Sequence, residues 1–417
     1  MPPSLLHATH VLHEGPPGAD TDHPSTGKAL VSIHTHPYLL TLDIGGEVTR
    51  LWSVESSEPT LINTLKPSLP SNFCYGIVHS IATRLPQLLV AGYCSADRQG
   101  ALVRIYNRET GELLRDIDVP VSPAHGWPQF MYREDLLAML VNSHPPEVIL
   151  YRQSSDDLEE IRKVPCAEDA DYALLHIITH DFLLTAHSFI PGDFLTITMH
   201  PLSQGASNSI NLLAFGRRPG WADPDMIAVE QVEVISTDKI ALSVTESWDY
   251  SYEETTVYVL ELPSLRVTWR THLTLESAAV SCHPSLGTLV VISKPIRDSV
   301  SDTYTTHVLF LNLEDGSIVR EESFGHGGAH VIAAECTASG LLVVVADTGA
   351  LSVTPVEDIL KSGLRCKDDG GIIVMRDIDI HPLAEGFISH WVEYARVIST
   401  GVLLFPRTGQ DIYFVKW

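Results

Sequence analysis

The sequence lacks the features that usually mark a secreted, membrane or metal-binding protein. None of its six cysteines belongs to a Cys-x-x-Cys pair, and most lie beside apolar strand-like runs, which is typical of buried free thiols in a reducing compartment. No apolar run approaches the length of a membrane span, and the first residues lack the pattern of a signal peptide. We therefore expect a cytoplasmic or nuclear protein with no membrane partner.

Basic residues are also scarce. The chain has 27 Lys and Arg against 52 Asp and Glu, a formal net charge of −25, and no local cluster of positive charge. An acidic field repels phosphate backbones and anionic lipid, which argues against direct nucleic-acid binding and membrane docking. The same field favours a partner that carries basic residues.

Catalytic and metal-binding motifs are missing too. The sequence contains no His-Glu-x-x-His, no Gly-x-Ser-x-Gly and no cysteine in an electropositive context. Carboxylate doublets such as Glu253–Glu254 should not form a shared-proton dyad, because adjacent strand residues point to opposite faces, and they are expected to be solvated loop charges. We predict no catalytic residue, no metal site and no cofactor.

What the sequence does contain is a repeated β-rich segment that occurs eight times. The anchors of the copies are separated by 42 to 61 residues, and they are Trp52, Tyr106, Tyr151, Met199, Leu260, Leu311, Val353 and Phe414. Periods of roughly 40–50 residues, each holding several short strands, are typical of a β-propeller. The predicted fold class is therefore all-β, a single β-propeller of seven or eight four-stranded blades.

The ends of the chain suggest how the ring closes. The last unit stops at its third strand, and a missing strand would leave an unpaired edge. We predict that residues 5–12 supply this closing strand, that the Gly- and Pro-rich residues 13–27 form a flexible linker, and that residues 28–417 form the blades. The whole chain, 1–417, is then one domain. A short helix or turn is expected near 358–364.

The third-strand segments resemble the WD-repeat family across essentially the whole chain. RLWSV, RIYNRETGE and FLNLEDGS stand where that family has two apolar residues, Trp, Asp and a turn containing glycine. The repeats are degenerate: Ser53 follows Trp52 where the family has Asp, and the Gly-His dipeptide is missing. They are similar to propellers of fungal F-box proteins, but without an F-box. Because the Gly-His dipeptide is missing, the family's Asp–His–Ser/Thr–Trp network is expected to be absent from these blades.

The predicted loops differ in length between the two rims of the disc. With strands a to d numbered outward from the axis, the c–d turns are short, whereas several b–c and d–a connections are long and aromatic. Aromatic side chains in exposed loops are favoured binding residues, although each could instead fold back onto its blade. The predicted partner-binding residues share this rim and are Trp127, Trp221, Trp248, Asp249, Tyr250, Tyr252 and Glu253.

These features favour a non-enzymatic scaffold or adaptor that binds a protein or peptide on the aromatic, acidic rim. The alternative is a propeller hydrolase or lactonase with a cation in the central channel, for which His79, His283 and Glu335 are the channel candidates. A third possibility, a carbohydrate-binding propeller, predicts equivalent aromatic residues in most blades, and the rim tryptophans do not repeat at one position. The oligomeric state is left open.

Overall fold

In the computed structural model, the described part of the chain forms eight antiparallel sheets. The structure describes residues 8–11, 31–32, 38–42, 48–53, 60–69, 73–81, 87–94, 100–120, 129–133, 135–141, 147–154, 158–165, 172–177, 181–188, 194–202, 205–213, 226–248, 252–276, 278–294, 296–298, 303–326, 331–347, 351–362, 392–398, 401–406 and 413–416. Within these ranges, no helix is long and apolar enough to cross a membrane.

The first four blades are regular four-stranded sheets. Blade 1 contains β2 (Val31–Ser32), β3 (Tyr38–Leu42), β4 (Thr49–Ser53) and β5 (Thr60–Leu65). Blade 2 contains β6 (Phe73–Ile81), β7 (Gln87–Cys94), β8 (Gly100–Asn107) and β9 (Leu113–Pro120). Blade 3 contains β10 (Gln129–Arg133), β11 (Leu136–Val141), β12 (Glu147–Gln153) and β13 (Leu158–Pro165). Blade 4 contains β14 (Tyr172–Ile177), β15 (Phe182–Ser188), β16 (Phe194–Pro201) and β17 (Asn208–Leu213).

The last four blades are more varied. Blade 5 contains β18 (Met226–Ser236), β19 (Lys239–Trp248), β20 (Tyr252–Glu261) and β21 (Arg266–Leu273). Blade 6 contains β22 (Ala278–His283), β23 (Thr288–Ser293), the short β24 (Ile296–Asp298), β25 (Thr303–Asn312) and β26 (Ile318–His326). Blade 7 is described for β27 (Val331–Cys336), β28 (Leu341–Ala346), β29 (Leu351–Pro355) and the helix α1 (Val356–Ser362). Blade 8 contains β30 (Val392–Ile398), β31 (Gly401–Pro406), β32 (Tyr413–Lys416) and β1 (Ala8–Val11).

The sheets follow one another around a ring. The first strand of each blade from 1 to 7 contacts the first strand of the next, which places these strands at the inner edge. Strand β1 pairs antiparallel with β32, so the N-terminal segment completes blade 8. The predicted propeller with an N-terminal closing strand is therefore confirmed, with eight blades rather than seven. All eight sequence anchors lie in the third strand of their blades.

The apolar core is divided into layers between neighbouring blades. Because side chains alternate along a strand, each central strand feeds two layers. In blade 3, Leu137 and Met139 pack with residues of blade 2, whereas Ala138 and Leu140 pack with Leu183 of blade 4. Both faces of a blade are thus buried, which explains why the second strands are continuously apolar.

The turns after the third strands use glycine where the backbone requires it. In blades 2 and 6 the turn begins with an asparagine, Asn107 or Asn312, whose backbone carbonyl accepts a hydrogen bond from the N–H of a glycine four residues later. Those glycines, Gly111 and Gly316, have φ values of +72° and +71°. This left-handed conformation is strained for residues with a Cβ, so the Thr-Gly and Asp-Gly signals specify the turn.

The fourth strand of one blade is also tied to the next blade by hydrogen bonds that we call blade-to-blade bridges. In each, a side chain of the fourth strand donates to a backbone carbonyl at or beyond the end of the third strand of the next blade. The bridges are Asn63 to Glu109, Arg162 to Pro201, Asn208 to Pro263, Trp269 to Leu313, Thr271 to Gly316 and Arg320 to Leu360. They link five of the blade pairs and hold the outer rim of the ring together.

Candidate partner-binding rim and axial cavity

The predicted rim residues are only partly within the described chain. Trp127, Trp221, Asp249 and Tyr250 lie outside the described residues, and Tyr252 is described by its backbone as the first residue of β20. The two described side chains are those of Trp248 and Glu253. Trp248 is only 4% exposed, whereas Glu253 is half-buried.

The rim residues of blade 5 belong to a long hairpin. Strands β19 and β20 pair along their whole length, from Lys239 with Glu261 to Trp248 with Tyr252, so only residues 249–251 connect them. Trp248 lies on the same strand face as Leu242 and Val244, which pack with blade 4. Its burial therefore anchors the hairpin to the disc, and the predicted Asp249 and Tyr250 follow directly at its end.

Two buried carboxylates support the base of this hairpin. Glu246 and Glu254 are directly opposite each other on β19 and β20, and each is 1% exposed. The Nε2 atom of His272 on β21 lies 3.1 Å from Oε2 of Glu254, and its Nδ1 atom lies 3.1 Å from Oγ1 of Thr256. The interpretation of Glu254 as a solvated loop charge was wrong. Strand β20 includes this residue, which was predicted to lie in a loop, and its side chain is buried at an interface between blades.

The phenol of Tyr258 lies in the same layer between blades 4 and 5, and its pKa is shifted by the groups around it. Burial raises the pKa of Tyr258 to about 12, and the negative charge of Glu246 adds to the increase, while Arg270 opposes it. Two carboxylates and a phenol are thus enclosed between blades 4 and 5, whereas Arg270 is exposed. The arrangement of these buried groups depends on which face of the strand meets which blade. Two adjacent acidic residues in the sequence, such as Glu253 and Glu254, do not show this.

The b–c connection of blade 6 forms a second hairpin beside that of blade 5. The sequence predicted an open loop here, but β24 pairs with β25 from Ile296 with Thr305 to Asp298 with Thr303. Neighbouring blades 5 and 6 therefore both carry b–c connections that are built as strands. A binding surface on this part of the rim has a rigid base.

An axial cavity of about 250 Å³ lies between the inner parts of blades 5, 6 and 7. Its polar residues come from two blades, Glu230 and Gln231 from β18 and Ser293 and Lys294 from the end of β23. The remaining lining residues are small or apolar and are Ala278, Ala279, Ile292, Val331, Ile332, Ala333 and Ala334. Sequence reasoning missed this site because it is assembled from the inner strands of three blades and the end of β23, which are far apart in the chain.

A β-bulge brings Glu230 to the cavity. The register of β18 against β19 shifts between Val229 and Gln231, so Glu230 is the extra residue and is exposed. Bulges redirect a side chain locally. Next to it, Gln231 is fixed by two hydrogen bonds with Val280 of blade 6: Nε2 donates to the carbonyl at 2.8 Å, and Oε1 accepts from the N–H at 3.0 Å.

The other end of the cavity is held by Ser293. Its hydroxyl donates to the carbonyl of Lys294 at 2.9 Å and accepts from the N–H of His307 at 2.9 Å. Ser293 itself is 3% exposed, whereas Lys294 is exposed. The backbone that carries the Lys294 ammonium is thus fixed.

Of the three channel candidates of the alternative, enzymatic interpretation, Glu335 and His283 have described side chains. Burial raises the pKa of Glu335 on β27, an effect opposed by Arg396, and burial lowers the pKa of His283 on β22. The side chain of His79 lies outside the described part. Among the described residues, no three His, Cys, Asp or Glu side chains are arranged to hold a metal ion.

Two of the cysteines have described side chains, and both are free thiols. Burial raises the pKa of Cys282 to about 11 and that of Cys336 to about 12, with the neighbouring carboxylates Glu233 and Glu335 adding to the shift. Thiols with raised pKa values are poor nucleophiles at neutral pH. For these two residues, the prediction of free thiols is confirmed, and both side chains are half-buried rather than fully buried.

Comparison with known proteins supports the fold. No protein-family model and no curated protein matches the chain. Among solved structures, it is similar to Sqt1 of Saccharomyces cerevisiae, with a TM-score of 0.54, 11% identity and 99% of each chain covered. It is also similar to the WD40 domain of SCAP from fission yeast, with a TM-score of 0.51, 8% identity, and 95% of this chain and 97% of that one covered. These likenesses show a WD40-type propeller fold.

Proposed function

We propose that this chain is a non-enzymatic scaffold or adaptor that binds a protein or peptide bearing basic residues on the rim formed by its b–c and d–a loops. The contact residues of the proposal are Trp127, Trp221, Asp249, Tyr250, Tyr252 and Glu253, with Trp248 as the buried anchor of the blade 5 hairpin. The WD40-type fold is consistent with a protein partner, and the net charge of −25 favours a basic one.

The observation that carries the proposal is the full-length pairing of β19 with β20. It brings Trp248 opposite Tyr252 at the end of a hairpin whose base is buried, and in this proposal Asp249 and Tyr250, which follow Trp248 in the sequence, reach the partner from there. A rigid presentation lowers the conformational entropy that is lost on binding, and aromatic residues provide large contact areas. An acidic residue beside each aromatic one adds electrostatic selection for basic partners.

Affinity purification of the full chain from its native cell, followed by mass spectrometry, tests the proposal. We expect a double variant Trp127→Ala/Trp221→Ala and a second one, Tyr250→Ala/Tyr252→Ala, to lose at least tenfold in partner recovery while remaining folded. A matched control is Leu61→Ala/Leu114→Ala, because these residues are 49% and 45% exposed on outer strands away from the rim. Undiminished recovery with both rim variants would overturn the proposal.

A further inference from the structure

The axial cavity contains two opposite charges that do not neutralise each other. Glu230 and Lys294 are both exposed and line the same cavity, one from blade 5 and the other from blade 6. Within the described part of the chain, neither side chain makes a hydrogen bond or an ion pair. The cavity therefore offers a carboxylate and an ammonium group to a ligand that brings the opposite charges.

The rest of the lining defines the shape of such a ligand. The wall consists largely of alanine methyl groups with Val331, Ile332 and Ile292, and the volume is about 250 Å³. This is below the roughly 300–1,000 Å³ of pockets for drug-sized molecules, so it suits a single residue with an aliphatic stem. Lysine and arginine have such stems and bury them along apolar surface.

We propose that the axial cavity binds the C-terminal residue of a partner chain when that residue is lysine or arginine, with its side-chain cation on Glu230 and its terminal carboxylate on Lys294. An internal basic residue would satisfy Glu230 but leave Lys294 without a counter-charge. A free amino acid would add an α-ammonium group that repels Lys294. A basic chain end carries one cation and one anion on one residue, which is the complement of this lining. The inference rests on the proposed peptide-binding function and specifies its ligand.

The test uses a pool of fluorescein-labelled pentapeptides that are random at the first four positions and end in lysine or arginine. The pool is prepared with a free C-terminal carboxylate and as the amide, and a matched pool ends in leucine. Binding to the full chain is measured by fluorescence anisotropy. We expect the basic free-acid pool to bind at least tenfold more tightly than either the amide pool or the leucine pool.

Two substitutions separate the two charges. Glu230→Gln should remove the preference for lysine over leucine and keep the preference for acid over amide. Lys294→Met should remove the preference for acid over amide and keep the preference for lysine over leucine. Ala279→Phe, at an exposed lining position, should block all binding by filling the cavity, whereas the control variants Glu109→Gln and Lys361→Met, at exposed positions on blades 2 and 7, should bind like the wild type.

The inference is overturned if the acid and amide pools bind equally, if no pool binds at millimolar protein, or if either charge variant keeps both preferences. Its failure is distinct from that of the proposed function. Rim variants that lose a captured partner, together with inactive pools, would leave the scaffold proposal standing without this cavity site. Pools that bind, together with rim variants that still capture the partner, would leave the cavity site standing without the rim proposal.

Discussion

The layer between blades 5 and 6 and the layer between blades 3 and 4 achieve the same blade packing with different side chains. Both bury alternate residues of the central strands, and both use a blade-to-blade bridge at the outer rim. They differ in the other side chains that they enclose. The layer between blades 5 and 6 packs a tryptophan against a turn glycine, whereas the layer between blades 3 and 4 encloses two histidines.

Between blades 5 and 6, a large apolar cluster surrounds the indole of Trp269. Its Nε1 donates to the carbonyl of Leu313 at 2.9 Å, and Thr271 Oγ1 donates to that of Gly316 at 2.7 Å. Each polar atom of these two side chains therefore has a partner in the next blade. The layer is not satisfied throughout, because Thr245 Oγ1 and Thr255 Oγ1, on the strand faces of Ala241 and Val257, are buried without a hydrogen-bond partner among the described residues.

Between blades 3 and 4, two buried histidines take part. His187 and Thr185 lie on the strand face of Leu183, which packs with blade 3, and His200 bonds to Thr185 at 3.0 Å and to Ser207 at 2.9 Å. Neither ring nitrogen of His187 has a hydrogen-bond partner among the described residues. Burial lowers the pKa of both His187 and His200 to about 4.

Degenerate repeats therefore keep the shape of a blade interface but not its chemistry. One interface tolerates acid and depends on close packing around a turn glycine, whereas the other depends on keeping two imidazoles neutral. Each can be broken by a condition or a substitution that leaves the other intact.

The largest effect is expected from Gly316→Ala. A Cβ at this position would collide with the Trp269 indole and lie 2.6 Å from Thr271 Oγ1, and the φ of +71° disfavours alanine. Steric overlap and backbone strain together should cost about 3 kcal/mol or more of unfolding free energy. Urea unfolding followed by circular dichroism measures this loss.

The matched control for that substitution is Gly287→Ala in the same blade. Gly287 has a φ of +62°, but a Cβ there would meet nothing within 4 Å. The loss of unfolding free energy in this variant should therefore come from backbone strain alone and be about 1 kcal/mol. If the two variants unfolded at the same urea concentration, the close packing around Trp269 would not be what stabilises the interface.

Acidification should weaken the layer between blades 3 and 4. The ordinary pKa of histidine is about 6.5, so the neutral state favoured by the fold has its full effect above that pH and is lost as the pH falls towards 4. For each histidine, the loss between pH 7.5 and pH 5 is about 2 kcal/mol. Urea unfolding at a series of pH values measures the slope.

The variant His187→Leu isolates this contribution. It should be about as stable as the wild type at pH 7.5 and should lose about 2 kcal/mol less on going to pH 5. Both proteins contain carboxylates such as Glu233, whose pKa is raised by burial, so the contribution of these groups to the pH dependence cancels when the two slopes are compared. Parallel slopes for the two proteins would contradict a neutral, buried His187.

Much of the fold could be predicted because its signals are local. The Thr-Gly and Asp-Gly turns mark glycines that do adopt positive φ, and the anchors Trp52 and Tyr106 do lie in third strands. The N-terminal strand followed from counting strands and from the cost of an open edge. The helix expected at 358–364 is present at Val356–Ser362.

The site could be predicted less well because it depends on contacts between blades. The alternation of a strand shows that Glu253 and Glu254 face opposite ways, but not that Glu254 lies against His272. Likewise, the bulge at Glu230 appears only when β18 is paired with β19. Which neighbour covers a given face is set by the ring and is not encoded in any single repeat.

The smallest effect is expected from Gln231→Ala, which removes the amide clamp between blades 5 and 6. The backbone groups of Val280 that it satisfies lie at an inner strand beside the open cavity, so water can replace the amide. The loss in unfolding free energy should therefore be about 1 kcal/mol, well below that of Gly316→Ala. The layer has a packed outer part and an inner part that borders the cavity, and this ranking of the two variants in urea unfolding follows from that division. A loss as large as that of the glycine variant would mean that the inner edge is closed to solvent, and the cavity would then be unable to admit a chain end.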